Sequence, residues 1–384
     1  MMKSVLSSFR EISGLFFLRV LRFVLFVFLY ILLLRFLPPY QFGLFCVVST
    51  YLYVIYFLQQ EFTAVYIDYK NKEGKVFCLQ LLVSLISAIF MTGVFLIVGL
   101  SSFIVFIFLQ ALFGNFLIFL LSRKLSLNTK EGFSDSGKIM IIQEAFYFVF
   151  SIPFIIAKNI YGILTVLLFS SLVPLLIYRE LPSRIEVPSK REIKDFLSLL
   201  SAKISSDTSK LLFPFFEATI FYKILSPEDL GNIYLNFRLL SPIEQIIKQT
   251  TGLTSQVKAS IKSYKEIMNY LVISLGIGAI MMIGVLFLKY IGFFKYMFPN
   301  YKVYTPVLLM IGIGFILSGL SSVLVQILVF ERKTKWILFS SLVSIVFFIG
   351  ISVLGGTIYS ASSGFLISNI IYFLLIFVGI KVKF

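Results

Sequence analysis

The sequence predicts an all-α polytopic membrane protein with about twelve transmembrane helices in two six-helix lobes related by a parallel internal repeat. Of the 384 residues, 59% are hydrophobic and only 14% are charged, and the mean hydropathy is +0.98. A soluble domain has about 45–50% apolar and about 25% charged residues. Because so few charged residues cannot cover a soluble surface, we expect the chain to fold in a lipid bilayer.

The predicted spans are apolar stretches of about 20 residues, the length that crosses the hydrocarbon core as a helix. In chain order they are 13–36, 41–65, 76–98, 102–121, 139–158, 160–178, 196–222, 230–250, 267–290, 303–329, 336–355 and 358–380. The seventh and eighth carry the most polar residues, so that a hydropathy window is expected to miss them.

The basic residues give the predicted orientation of the spans. The formal net charge is +16, from 34 Lys and Arg against 18 Asp and Glu. With a cytoplasmic N-terminus, the cytoplasmic segments hold 23 basic residues and the opposite side holds 6. This bias follows the positive-inside rule and predicts that both termini are cytoplasmic. The excess charge is thereby explained, and nucleic acid is not expected as a partner.

Several classes of chemistry are excluded by composition. The chain has no histidine, which removes a histidine base or metal ligand. Its two cysteines, Cys46 and Cys78, lie in apolar stretches and are interpreted as small buried hydrophobic residues. No GxxxxGK[ST] phosphate-binding loop is present. We therefore expect neither a cofactor, nor a metal site, nor an enzymatic activity.

An internal repeat is visible in two short loops. Residues 37–43 read LPPYQFG and residues 225–231 read LSPEDLG, which both fit L-x-P-x-x-[FL]-G at an offset of 188. The same offset places Arg22 on Lys210. The residues of the two loops that we expect to have a structural role are Pro39, Gly43, Pro227 and Gly231.

This repeat divides the chain into an N-terminal lobe 1–180, a charged cytoplasmic linker 181–195 and a C-terminal lobe 196–384. Each lobe has six predicted spans, and an even number makes both lobes begin on the same side of the membrane. Transporters built from parallel repeats bind substrate near the midplane between the halves. A duplicated bundle that transports nothing is the alternative.

Five cations fall inside predicted spans, where each costs about 2.5–3.5 kcal/mol unless it faces a protein interior or an aqueous cavity. They are Arg19, Arg22, Lys203, Lys210 and Arg238. Together with Gln245 they are the candidate substrate-binding residues, and they predict a hydrated cavity with a positive field that suits a pyrophosphate. Two alternatives remain: Arg19 and Arg22 could extend to the cytoplasmic interface, and Lys203, Asp207 and Lys210 could form a structural ion-pair ladder.

Three carboxylates inside the spans, Asp207, Glu217 and Glu144, are candidates for binding a coupling proton or sodium ion. In a chain without histidine, carboxylates are the groups that remain for this role. The alternative is that each carboxylate only satisfies an interhelical contact.

Several features of the sequence give the chain a resemblance to a known family. They are the L-x-P-x-x-[FL]-G loops, Asp207 midway along span 7, the FPNY sequence at 298–301, the ERK sequence at 331–333, and Gly356 with Gly364. The chain resembles the polysaccharide repeat-unit flippases of the O-antigen, Wzx-like type. These belong to the multidrug/oligosaccharidyl-lipid/polysaccharide exporter superfamily, which includes the multidrug and toxin extruders (MATE).

The resemblance implies a MATE-like fold and a flippase that works by alternating access in a bacterial or archaeal cytoplasmic membrane. Its substrate would be a polyprenyl-pyrophosphate-linked oligosaccharide, moved from the cytoplasmic to the outer leaflet for surface polysaccharide assembly. The implied partners are this lipid-linked oligosaccharide, membrane lipids, a polysaccharide polymerase and glycosyltransferases. Arg19, Arg22, Lys210 and Arg238 match the family's cavity cations in type and location.

Two other functions compete with this interpretation. A multidrug antiporter of the same fold would favour an acidic cavity, whereas this one counts as basic. A membrane polysaccharide polymerase or ligase usually carries its chemistry in a long external loop. The longest predicted external connection here covers about 290–302 and has no acid/base constellation.

Overall fold

The computed structural model describes residues 21–22, 24–126, 130–180, 184–257, 264–330 and 333–381. Throughout these ranges the regular structure is helical, and they contain no strand. The fold is therefore all-α, as the composition predicts.

Fourteen helices follow one another along these ranges. The first seven are α1 (Val24–Phe36), α2 (Pro39–Asp68), α3 (Glu73–Val98), α4 (Ile104–Ser126), α5 (Lys130–Ile156), α6 (Ile160–Ser170) and α7 (Val173–Tyr178). The remaining seven are α8 (Lys190–Ile224), α9 (Pro227–Val257), α10 (Tyr264–Tyr290), α11 (Phe293–Met297), α12 (Thr305–Phe330), α13 (Thr334–Gly355) and α14 (Ile358–Lys381). Short 3-10 turns precede α3 and α4, at Lys70–Lys72 and Ser101–Phe103.

Each of the twelve predicted spans overlaps a helix, and α6 and α7 share one span. Among the described residues, nine helical stretches are long and apolar enough to cross a membrane. The three predicted spans outside this set are α1, of which 24–36 is a shorter apolar helix, and the polar helices α8 and α9. These last two are the spans that the sequence predicts a hydropathy window would miss. The chain is a multi-pass membrane protein.

The helix ends reproduce the sequence repeat. Helix α1 ends at Phe36 and α8 ends at Ile224, while α2 begins at Pro39 and α9 begins at Pro227. Both pairs are 188 residues apart, the offset of the two loops. Proline is well suited to the first turn of a helix because its missing N–H would be unpaired there. The two prolines therefore open α2 and α9, two and three residues before the predicted starts of these spans at 41 and 230.

Contacts divide the chain into two compact units. The first unit contains Met1–Leu37 and Val48–Ile204, and the second contains Pro38–Val47 and Ser205–Phe384. The first turns of α2 thus count with the second unit, and the N-terminal part of α8 counts with the first.

An aromatic core explains why the start of α8 belongs to the first unit. Phe196 and Leu200 of α8 are buried in one cluster with Phe62 and Tyr66 of α2 and with Phe119 of α4. The Tyr66 and Phe119 rings meet edge to face at 5.7 Å between centroids, a favoured arrangement of aromatic pairs. The amphipathic start of α8 is held by this apolar burial.

A buried polar network joins α2, α3 and α4 of the first unit. Gln59 donates from its side-chain amide to the carbonyl of Gln110 at 3.2 Å, and Tyr66 donates to Gln80 at 2.7 Å. Ser84 donates to Asn115 at 2.9 Å. Because these polar groups are buried away from water, their mutual hydrogen bonds offset the cost of burying them. The same bonds fix the register of the three helices.

The predicted linker is attached to the first unit by charges. Ser189 and Glu192 form a capping box at the start of α8, in which each side chain binds the other residue's backbone N–H. The Glu192 carboxylate also pairs with Lys72 at 2.9 Å and with Lys75 at 3.2 Å. At the other end of the linker, Glu180 pairs with Lys124 at 2.5 Å.

In the second unit, the start of α9 is held by the segment after α11. The backbone amide of Lys302 donates to the side-chain oxygen of Asn232 at 2.9 Å, and the Lys302 ammonium pairs with Glu228 at 2.9 Å. The ring of Tyr301 meets that of Phe42, in the first turns of α2, at 5.9 Å. Tyr301, the last residue of the FPNY sequence, therefore contacts the start of α2, and the following Lys302 contacts the start of α9.

Candidate functional site

Two groups of described side chains within the predicted spans contain charged residues, one group within each unit. The first group comprises Arg22, Tyr56, Met140 and Glu144. The second comprises Cys46, Glu217, Arg238, Glu244 and Ser318.

The first group is built around an ion pair between α5 and the helical turn that precedes α1. Arg22 donates from Nε and from Nη2 to the same carboxylate oxygen, Oε1 of Glu144, at 3.2 Å in each case. Its Nη1 lies 3.6 Å from the sulfur of Met140. The Arg22 side chain is 43% exposed and that of Glu144 is 18% exposed. The pair is therefore partly accessible and uses one oxygen of the carboxylate.

A tyrosine of α2 lies near this pair, and the residue next to Glu144 makes a separate polar contact. Tyr56 of α2 interacts electrostatically with both Arg22 and Glu144. Gln143, next to Glu144 on α5, donates to the hydroxyl of Ser171 between α6 and α7 at 3.3 Å. Tyr53, one turn before Tyr56 on α2, is exposed. The ion pair and the tyrosines of α2 thus offer a cation, an anion and an aromatic face.

The second group brings two carboxylates to one arginine. Arg238 and Glu244 of α9 both act electrostatically on Glu217 of α8. Arg238 also lies within hydrogen-bonding reach of the Cys46 thiol in the first turns of α2. Ser318 of α12 donates to Glu244 Oε1 at 2.5 Å. Helices α2, α8, α9 and α12 therefore converge on these groups.

Some predicted site residues lie outside what the structure describes. Arg19 precedes the described residues. Lys203, Asp207 and Lys210 lie on α8, where the backbone is described and their side chains are not. The cavity cations predicted at these positions, and the ion-pair ladder that is their alternative, stay predictions.

The other predicted positions are placed as follows. Arg22 forms an ion pair with Glu144, and Arg238 lies within electrostatic range of Glu217, so that each of these two predicted anion-binding arginines is near a predicted ion-coupling carboxylate. Gln245 is exposed on α9, and its neighbour Glu244 is the residue that contacts α12.

Gly43 and Gly231, the glycines of the two repeated loops, meet each other. A Cβ on Gly43 would lie 2.9 Å from the backbone nitrogen of Gly231. A Cβ on Gly231 would overlap the carbonyl oxygen of Pro39. The starts of α2 and α9 therefore cross where neither has a side chain, within the second unit.

The members of the two groups that were not found as site residues from the sequence are Tyr56, Met140, Cys46, Glu244 and Ser318. Glu244 lies three residues after Ser241, a spacing that places it next to the polar face of α9 and was a usable signal. Cys46 gave no signal, because a thiol in an apolar stretch looks like a small hydrophobic residue. It is buried as predicted, with Arg238 as its neighbour.

No protein-family model matches the chain, and no curated protein is significantly similar to it in sequence. Among solved structures, it is similar to the lipid II flippase MurJ in an inward closed conformation, with a TM-score of 0.68, 13% identity, and 97% of this chain and 88% of that chain covered.

Two exporter structures are also similar. An inward-facing multidrug resistance MATE family transporter of the MOP superfamily gives a TM-score of 0.57 at 16% identity, with 94% of this chain and 96% of that chain covered. A MOP superfamily transporter from Pyrococcus furiosus gives 0.52 at 14% identity, with 97% and 95% covered. At these identities the similarity establishes the fold. The chain is a multi-pass membrane protein with the fold that MurJ and the MATE transporters share.

Proposed function

We propose that the chain is a flippase that moves a polyprenyl-pyrophosphate-linked oligosaccharide from the cytoplasmic to the outer leaflet by alternating access. The observation that carries this proposal is the Arg22 guanidinium, partly exposed at span depth in a fold shared with MurJ. Guanidinium groups bind phosphate oxygens with paired donors, and a cation in a span normally marks a substrate pathway.

The fold alone does not select the substrate. The structure of the P. furiosus transporter is described as having a binding pocket of reverse polarity that suggests a different function. Within this fold, the sign of the charges is therefore the informative feature. Here the candidate cations Arg22 and Arg238 favour an anionic head group, and the Wzx-like sequence features support a lipid-linked oligosaccharide.

A multidrug or cation antiporter is the second candidate, favoured by the two carboxylates of the second group. Glu217 and Glu244 act on each other and share their surroundings with one arginine. Such a pair can hold a cation or a proton. If this were the transported or coupled species of an exporter, drug resistance would depend on these carboxylates.

The test is a flipping assay in proteoliposomes with a fluorescent polyprenyl-pyrophosphate disaccharide. Arg22→Ala is expected to lower the initial rate about tenfold or more, because a hydrogen bond to a charged group contributes about 1.5–3 kcal/mol. Arg22→Lys, which keeps the charge and loses the paired donors, should fall between Arg22→Ala and the wild type.

Arg35→Ala is the matched control, because Arg35 is an exposed arginine of α1 at the end remote from Arg22. It should leave the rate unchanged at equal reconstitution. Full activity of Arg22→Ala would contradict the proposal. Loss of drug resistance in Glu217→Gln cells that still process lipid-linked oligosaccharide would support the antiporter instead.

A further inference from the structure

We infer that Glu144 is a built-in competitor for the substrate's pyrophosphate: it holds the Arg22 guanidinium in the empty transporter and exchanges with the phosphate when the head group binds. This inference rests on the proposed function and adds a release mechanism to it. Glu144 is then a positioning residue, and the coupling-ion role predicted for it from the sequence is not needed.

The geometry of the pair shows why it can be exchanged. Both donors of the Nε–Nη2 edge converge on a single oxygen, Oε1, at 3.2 Å. A guanidinium and a carboxylate in their best arrangement form two parallel bonds to two oxygens, at about 2.7–2.9 Å. The observed bonds are longer and share one acceptor. A phosphate, which presents several oxygens, can therefore satisfy the same edge better than Glu144 does.

The remaining donors of Arg22 support the same conclusion. Nη1 lies against the sulfur of Met140 at 3.6 Å, and a thioether is only a weak acceptor. With 43% of its side chain exposed, Arg22 can be approached by a ligand while still bonded to Glu144. The exchange can proceed by addition of the phosphate before the carboxylate leaves, so that the guanidinium is never without an anion.

The charges explain why a competitor is useful. Arginine does not lose its proton in proteins, so that an empty site would leave an uncompensated cation at span depth, which is unfavourable. Glu144 supplies the counter-charge from α5. When the head group leaves, the carboxylate takes its place again, which lowers the barrier to release. Tyr56 interacts electrostatically with both Arg22 and Glu144 and therefore lies near the site of the exchange.

The experiment separates binding from turnover in the full-length protein. The binding probe is geranylgeranyl pyrophosphate in detergent, with geranylgeraniol as the uncharged reference. Glu144→Gln is expected to bind the pyrophosphate up to about fivefold more tightly, the size of effect that a partly exposed ion pair gives. In the flipping assay the same variant should be slower at saturating substrate, because release is impeded.

Two further variants complete the design. Glu186→Gln removes one negative charge from the exposed linker of the same unit, and it should change neither quantity. Glu144→Asp keeps the charge and withdraws the carboxylate by one methylene. It should give a smaller gain in affinity, and it provides a second test if Glu144→Gln does not fold.

The outcomes distinguish the proposed flippase function from the competitor role of Glu144. If the wild type binds the pyrophosphate no better than the alcohol, the anion recognition in the proposed function is wrong. If the wild type discriminates but neither Glu144 variant binds more tightly, the competitor role is wrong and the flippase proposal stands. Weaker binding together with a lower melting temperature would show that the pair is only structural, and would also overturn the inference.

Discussion

At the scale of single residues, Gly231 has a role that its missing side chain makes testable. It lies where α9 meets the first turn of α2, and a Cβ there would overlap the backbone of Pro39. Backbone atoms cannot move aside as the end of a flexible side chain can. Glycine is therefore required at this position by the close approach of α2 and α9, and not by the conformation of α9 itself.

Gly231→Ala is expected to destabilise the second unit by about 1–3 kcal/mol, the usual cost of overpacking. The measurement is the melting temperature of the purified protein in detergent, followed by the fluorescence of Trp336, the one tryptophan of the chain. Gly350→Ala is the matched control, because a Cβ at Gly350 of α13 meets nothing within 4 Å. Equal melting temperatures for the two variants would contradict the assigned role of Gly231.

At the scale of elements, the junction between the predicted linker and α8 depends on one carboxylate. A hydrogen bond from the Ser189 backbone amide, then bonds from Lys72, from the Ser189 hydroxyl and from Lys75, lower the pKa of Glu192 to about 2 from its ordinary value of 4.5. Glu192 lies before the predicted span and outside the hydrocarbon region. One residue therefore caps α8 and ties it to the start of α3.

This shift predicts a pH dependence. A carboxylate with a lowered pKa in the folded state contributes stability above its unfolded pKa, and the contribution is lost as the pH falls through the folded value. The wild type should therefore melt above Glu192→Gln at pH 7. The difference should shrink as the pH falls from about 4.5 towards about 2.

Melting curves of both proteins across this range, in a detergent without titratable groups, provide the measurement. Glu228→Gln, which breaks the exposed pair with Lys302 in the second unit, controls for the general effect of losing a surface carboxylate. A difference that persists unchanged at pH 2.5 would show that Glu192 acts through its shape and not its charge.

The helices were predictable from the sequence, while the pairing of their polar residues was not. Apolar length indicates most of the spans, and the two repeated loops place the starts of α2 and α9 to within two or three residues. The pairing of Arg22 with Glu144 depends on which face of α5 turns towards the start of α1. That choice is made by packing between helices distant in sequence, on which periodicity within one helix has no bearing.

The border between the two compact units was likewise not predictable from the sequence. Composition places the charged linker at 181–195, but Phe196 and Leu200 lie in the aromatic core of the first unit because four helices bury them together. A local sequence signal for this does not exist, since an amphipathic helix start looks the same whichever neighbour covers it.

At the scale of the whole molecule, α8 and α9 are the two helices whose crossing of the membrane is least evident from hydropathy. Both are longer than 30 residues, and neither is among the nine apolar stretches of the described chain. If both cross, as the sequence predicts, their connection at 225–226 is external. If neither crosses, this connection stays with the linker on the cytoplasmic side.

Single cysteines distinguish these arrangements. In a background with Cys46→Ala and Cys78→Ala, a membrane-impermeant maleimide applied to intact cells should label Glu228→Cys, at the exposed start of α9. It should label Glu186→Cys, in the exposed linker, only after the membrane is permeabilised. Labelling of both positions from the same side would show that α8 does not cross. Since the basic residues already divide 23 to 6 between the predicted sides, we expect opposite labelling.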